Sequence, residues 1–151
     1  MNLDDLVAES DSIVLGTVVD THSVWDPQGR IILTDATIKV EHSLLGDAKA
    51  VTEVRTFGGR VDDYTVLAHG FPTFDVGNRI VVFLQAAEDG TQRVTGYQHG
   101  LYKVVQRQGT PWVVPTVDDH SVLSTKDYIK PSARHLAAFT RDILATETRL
   151  R

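Results

Sequence analysis

Six histidines (His22, His42, His69, His99, His120 and His135) and no cysteine bound the reactive chemistry open to this 151-residue chain. Without cysteine there is no thiolate nucleophile, no disulfide and no Cys-ligated zinc. Histidines that share a metal from one strand or helix face come at short spacings such as His-x-His or His-Glu-x-x-His. None of the six does. His42 falls in phase with Ala36, Ile38 and Val40, which places it at a core edge, held by a hydrogen bond. Asp118-Asp119-His120 is the densest local cluster, where carboxylate oxygen and imidazole nitrogen could converge on an ion. The bland alternative is a solvated acidic turn. A metal-binding protein or metal-dependent hydrolase built on these histidines is therefore one alternative.

Other catalytic patterns are weaker. A serine nucleophile needs a base in reach and a group to orient it, and no Gly-x-Ser-x-Gly elbow is present. Asp62-Asp63 and Asp118-Asp119 are adjacent pairs, and adjacent residues on a strand point to opposite faces, so both read as polar loops. No catalytic residue, cofactor or metal ligand is assigned, and the chain is not expected to be an enzyme. Gly58-Gly59-Arg60 has the glycines of a phosphate-cradling loop without its lysine, hydroxyl residue or following helix. Arg60 beside the mobile glycine pair, with Tyr64 nearby, is instead a contact point for a partner. Phe71 and Phe74 flank Pro72 and, with Trp25 and Trp112, put aromatic rings at turns, where binding residues concentrate. The same two phenylalanines could equally pin a long loop to the core. Gly96-Tyr97-Gln98-His99-Gly100-Leu101-Tyr102 reads as strand, with Gly96, Gln98, Gly100 and Tyr102 on one face. Small residues there suit close packing against a helix or inside a small barrel, or the approach of a ligand.

The elements that must position these residues are mostly strands. Residues 3–10 predict a short helix capped by Asn2, with Leu3, Leu6 and Val7 on one face. Ser12–Val24 is a long β-branched run, with Ile13, Leu15 and Val19 on one side and Val14 and Val18 on the other. Gly16 within it marks a bulge or bend of the kind a small barrel needs. Asp26-Pro27-Gln28-Gly29 is a turn into a second strand, Ile31–Leu44, with Thr34, Ala36, Ile38, Val40 and Leu44 sharing a face. Val51–Phe57 predicts a third strand, with a short β segment at Tyr64–His69. Ile80-Val81-Val82-Phe83-Leu84 is apolar on both faces and predicts a central strand. Arg93–Gln106 and Trp112–Val117 complete the strands. Ser132 caps a final helix to about Arg149, its stripe formed by Leu136, Phe139, Ile143 and Leu144. The expectation is one mainly β domain over 1–151, with a barrel of five or six antiparallel strands over about 12–117 and the closing helix over about 132–149.

Composition supports a packed core and narrows the partners. With 42% hydrophobic and 23% charged residues the chain is ordinary for a globular domain. Its formal charge of −5 repels phosphate backbones, so nucleic-acid binding is not expected, nor attachment to anionic membranes. No apolar run reaches the roughly 20 residues of a spanning helix. Met1-Asn2-Leu3-Asp4-Asp5 is acidic where a secretory signal is basic, so none is expected within these residues.

Several segments carry a resemblance. They are Leu6–Val18, the strand Thr34–Leu45 ending in Leu44-Leu45-Gly46-Asp47, and Arg55-Thr56-Phe57-Gly58-Gly59. Pro72–Arg79 before Val82-Phe83-Leu84, and Gly96–Tyr102, complete them. Over residues 3–105 the chain resembles small exported bacterial proteins of uncharacterised role. More distantly it is similar to the netrin-like domain of tissue inhibitors of metalloproteinases, an oligonucleotide/oligosaccharide-binding (OB) type barrel with flanking helices. The resemblance implies an OB-like barrel and a secreted or periplasmic location. Those inhibitors chelate the protease zinc through an amino-terminal cysteine, which this chain lacks. The leading expectation is a non-catalytic, extracytoplasmic binding module whose partner is an exported protein. Its candidate contact residues are Gly58, Gly59, Arg60, Tyr64, Phe71 and Phe74. An OB barrel taking an oligonucleotide or oligosaccharide is a further alternative.

Overall fold

The computed structural model describes residues 1–116 and 133–150. Asp118-Asp119-His120, Val117 and Ser132 lie outside them. The short helix α1 spans Leu3–Glu9, and the Asn2 side-chain oxygen accepts the Asp5 N–H at 2.9 Å. Two long strands follow, β1 (Ser12–Trp25) and β2 (Ile32–Leu45), then β3 (Val51–Phe57). A small hairpin of β4 (Gly59–Val61) and β5 (Tyr64–Val66) leads through a loop to β6 (Arg79–Ala86) and β7 (Gln92–Val94). After a 3₁₀ turn at Tyr97–Gly100 come β8 (Leu101–Arg107), β9 (Thr110–Pro115) and the two-residue β10 (Arg134–His135). Helix α2 spans Leu136–Leu150.

Pairing closes a five-stranded barrel, β1-β2-β3-β7-β6, because β6 returns to β1 from Ser12↔Leu84 to Thr17↔Arg79. Strand β6 beside the meander β1-β2-β3 makes a Greek key. The last joint is parallel and short: β3 meets β7 at the single pair Val54↔Gln92. On its other edge β6 pairs first with β8 and then with β7, so β8, β9 and β10 extend the sheet outside the barrel. Pro111 and Pro115 lie in β9, near that outer edge, where the missing N–H donors discourage further pairing.

Period-two alternation divides the apolar residues between two cores. Val14, Val18, Ala36, Ile38, Val54, Ile80, Val82 and Leu84 fill the barrel. Ile13, Leu15, Val81 and Phe83 point the other way and pack under Leu6, Leu136, Phe139 and Ile143 of the helices. The Ile80–Leu84 run is therefore buried on both faces, as its composition predicts. Each such side chain contributes on the order of 1.5–3 kcal/mol by leaving water.

Bulges correct three expectations of phase. Val18 pairs with Ile38 and Asp20 with Thr37, so Val19 is an extra residue in β1 and stands 45% exposed. Leu15 pairs with His42 but Gly16 with Val40, so Glu41 is the extra residue in β2. This slip takes His42 off the face of Ala36, Ile38 and Val40 and into solvent, and sends Leu44 to the helix-side core. Gly16 sits at that slip, where a Cβ would run into the Lys39 carbonyl oxygen.

Two further expectations change. Arg93–Gln106 is not one strand: Thr95 N–H bonds Phe83 O at 2.8 Å, after which the chain leaves the sheet through Gly96 (φ 67°) and Tyr97 (φ 56°). It rejoins the same edge of β6 at Leu101↔Val82. In α2 the buried stripe is Leu136, Phe139, Ile143 and Thr146, and Leu144 is 48% exposed. At about 100° per residue, Leu144 falls off a stripe set by steps of three and four. Arg149 ties α2 to α1 by a 2.6 Å ion pair with Asp4.

Candidate functional site

The glycine pair is where the chain leaves the barrel. The Gly58 N–H donates to Ile32 O at 2.7 Å, and the Thr34 hydroxyl donates to Gly58 O at 2.7 Å. Gly58 (φ 96°) and Gly59 (φ 134°) then turn β4 across the arm of β1 and β2. There the Ser23 and Thr34 hydroxyls bond each other at 2.8 Å, and a Cβ on Gly59 would strike both. The pair thus serves backbone geometry. Arg60 is exposed on β4 and donates from Nε to Asp62 O at 3.2 Å. Tyr64 is 65% exposed, and its ring meets Trp25 edge-on at 5.7 Å. Asp62-Asp63 forms the hairpin turn, Asp62 taking a left-handed φ of 52°.

The two loop phenylalanines part company. Phe74 is only 7% exposed and belongs to the barrel interior, so its ring is withdrawn from any partner. Phe71 is half-buried between Phe57 and Tyr97, with centroid distances of 4.9 Å and interplanar angles of 81° and 84°. That aromatic row separates two clefts. One, of about 450 Å³, is lined by Thr21, Ser23, Thr34, Gly58, Gly59 and Leu67 among others. The other, of about 430 Å³, lies at the short joint of β3 and β7, between Arg55, Phe57, Gln85, Arg93 and Tyr97, with Glu9 on its rim. Gly58, Gly59, Phe71 and Phe74 thus line one cleft, while Arg60 and Tyr64 stand apart on the hairpin with Trp25.

Charge beside the second cleft is paired. Asp35 and Arg55 face each other across β2 and β3, and the carboxylate accepts Arg55 Nε at 2.7 Å and Nη2 at 2.9 Å. Asp89, in the turn from β6 to β7, accepts Arg55 Nη1 at 3.2 Å and Arg93 Nη2 at 2.8 Å. The bond to Asp35, ahead of burial, raises the Arg55 guanidinium's affinity for its proton. The Asp89 carboxyl is held well below the usual range, first by the Thr91 hydroxyl and N–H and then by Arg93. Arg93 also lies over the Phe57 ring at 5.8 Å.

His22, His42, His69, His99 and His135 are all exposed, and His135 stacks on Trp112 at 4.0 Å. Among the described residues no group of three His, Asp or Glu side chains converges on a common point. Sequence reasoning missed Asp35, Arg55, Phe57, Asp89, Arg93 and Tyr97. The signal for Asp35 and Arg55 is opposite charge at positions a β2–β3 hairpin would pair; the rest is set by the joint of β3 and β7. No helix among the described residues is long and apolar enough to cross a membrane. Compared with protein-family models and with curated proteins, the chain matches none.

Proposed function

We propose that this chain is a non-catalytic binding module of the bacterial extracytoplasmic space, built on an OB-like barrel, with an exported protein as its partner. The observation that carries the reading is the exposure of large apolar side chains on the segments beside the barrel. Leu67 is 80% exposed, Tyr64 65% and Tyr97 60%; Phe71 touches the Tyr97 ring and shares a cleft with Leu67, while Tyr64 meets Trp25 on the hairpin. Rigid barrels commonly carry binding residues on such connections, and apolar side chains gathered at the surface mark interaction sites. A five-stranded Greek-key barrel is the arrangement of OB domains, which supports that part of the reading. The location rests on the resemblance over residues 3–105. A protease is the first candidate partner by analogy of fold alone. The paired arginines speak against a nucleic-acid ligand, since guanidinium charge already neutralised recruits no phosphate.

The test is capture from exported proteins of the source cell, followed by titration of the purified pair. The wild-type chain is expected to retain a partner that a Tyr64→Ser, Leu67→Ser variant loses. Identical capture by both chains, or none by either, overturns the reading. So does turnover of a hydrolase substrate that disappears on His99→Ala substitution.

A further inference from the structure

We propose that the cleft at the joint of β3 and β7 takes a proline-rich, basic peptide segment in the extended left-handed polyproline conformation. The proposal rests on the binding-module reading and names the chemistry of its partner.

The first observation is a strained residue whose ring stays at the surface. Tyr97 is a bulky residue at φ 56°, a conformation that disfavours any side chain with a Cβ and tyrosine especially. Strain of this kind is retained where the surrounding structure enforces it, often at binding sites. Here Gly96 supplies a preceding left-handed residue, and the Gln98 N–H bonds Gly70 O at 3.1 Å, which pins the 3₁₀ turn to the Phe71 loop. Yet Tyr97 remains 60% exposed, so the constraint presents the ring rather than burying it.

The second observation is the shape of the wall. Phe57, Phe71 and Tyr97 stand in a row with successive rings nearly perpendicular along one side of the cleft. Proline rings dock into grooves of this kind, and a polyproline segment arrives already stiff, so little ordering entropy opposes binding. Such a segment makes no internal hydrogen bonds, and its carbonyls seek donors. Of the donors in the lining, Tyr97 brings its hydroxyl, the Gln85 amide already gives one N–H to Glu9 O at 2.8 Å, and the Arg93 guanidinium is shared with Thr91 and Asp89.

The third observation is charge. Arg55 and Arg93 are paired with Asp35 and Asp89, so the cleft does not attract an anion. Glu9, exposed on the rim, adds a carboxylate, and the whole chain carries −5. That field favours a cationic residue beside the prolines.

The test uses the intact chain, a fluorescently labelled peptide with Pro-x-x-Pro spacing flanked by arginines, and a control with alanine at every proline. Saturable binding of the proline peptide is expected, weakened about tenfold or more by Tyr97→Gly, as for an interface anchor. Glu9→Gln should weaken it less and flatten its salt dependence. Amide chemical shifts should move at Phe57, Phe71 and Tyr97. Equal affinity for the alanine control, shifts elsewhere, or unchanged affinity in a folded Tyr97→Gly variant overturns the inference. Binding of a neutral oligosaccharide in this cleft without the peptide also overturns it. If the peptide fails while Tyr64 and Leu67 still capture a partner, only the cleft assignment falls; if both fail, the binding-module reading falls with it.

Discussion

Phe71 and Tyr97, far apart in sequence, meet edge to face at 4.9 Å and 84°. Phe71 lies on the loop before β6 and Tyr97 on the excursion after β7, so the contact joins the two departures of the chain from the barrel. Tyr97→Gly removes this contact, worth about 0.5–1.5 kcal/mol, and makes the unfolded chain more flexible, while relieving about 1–2 kcal/mol of left-handed strain. Global stability is therefore expected to change by no more than about 1 kcal/mol, measured by urea unfolding. A loss several times larger would show that the ring serves the core.

Gly16→Ala is expected to be costly. The added methyl meets the Lys39 carbonyl oxygen and approaches Ile38 Cγ2 to 2.9 Å, and both belong to the strand that must pair there. Overpacking at such a site costs about 1–3 kcal/mol, so the denaturation midpoint should fall clearly. An unchanged midpoint would mean that the β1–β2 slip relaxes freely.

Ile143 and Leu144 separate the true face of α2 from the apparent one. Ile143 is fully buried and Leu144 is 48% exposed. Ile143→Ala should cost about 2–5 kcal/mol and Leu144→Ala about 0.5 kcal/mol or less. Thermal unfolding of the two variants ranks them, and a reversed order would contradict the orientation of the helix.

Asp35→Ala leaves Arg55 without the carboxylate that takes two of its nitrogens, with both side chains about one-fifth exposed. A loss of about 1–3 kcal/mol is expected. In a double-mutant cycle with Arg55→Ala the coupling should be favourable; a coupling of zero would make the pair decorative.

Asp89 yields a prediction in pH. Its ordinary pKa is near 3.8, and Thr91 and Arg93 hold it lower in the folded chain. Because the folded value is the depressed one, the contribution to stability is complete at neutral pH. It declines as pH falls through the ordinary carboxyl range and is gone below the folded value. The Thr91 hydroxyl is the largest cause, so Thr91→Val should raise the Asp89 titration midpoint more than Arg93→Gln does. Carbon-detected titration of the carboxyl reads this directly, and the opposite ranking would refute the assignment.

Much of the architecture follows from local pattern. Alternating apolar residues specify β1, β2 and β3 because a pleated strand sends neighbours to opposite faces. The doubly apolar Ile80–Leu84 run requires a strand with a core on each side, and the α2 stripe requires something beneath it. Asp26-Pro27-Gln28-Gly29 closes its turn through Asp26, whose side chain accepts the Arg30 N–H at 2.7 Å. These are short-range consequences of backbone geometry and solvent exclusion. The phase of His42 and Val19 was not legible, because a bulge depends on how two strands accommodate each other when the barrel closes. Nor was the excursion at Gly96–Gly100, where pairing along β6 passes from β7 to β8. The second cleft belongs wholly to this level. Arg55, Arg93, Phe57 and Tyr97 become neighbours only because β3 and β7 meet in parallel at a single pair, a long-range closure that no local periodicity encodes.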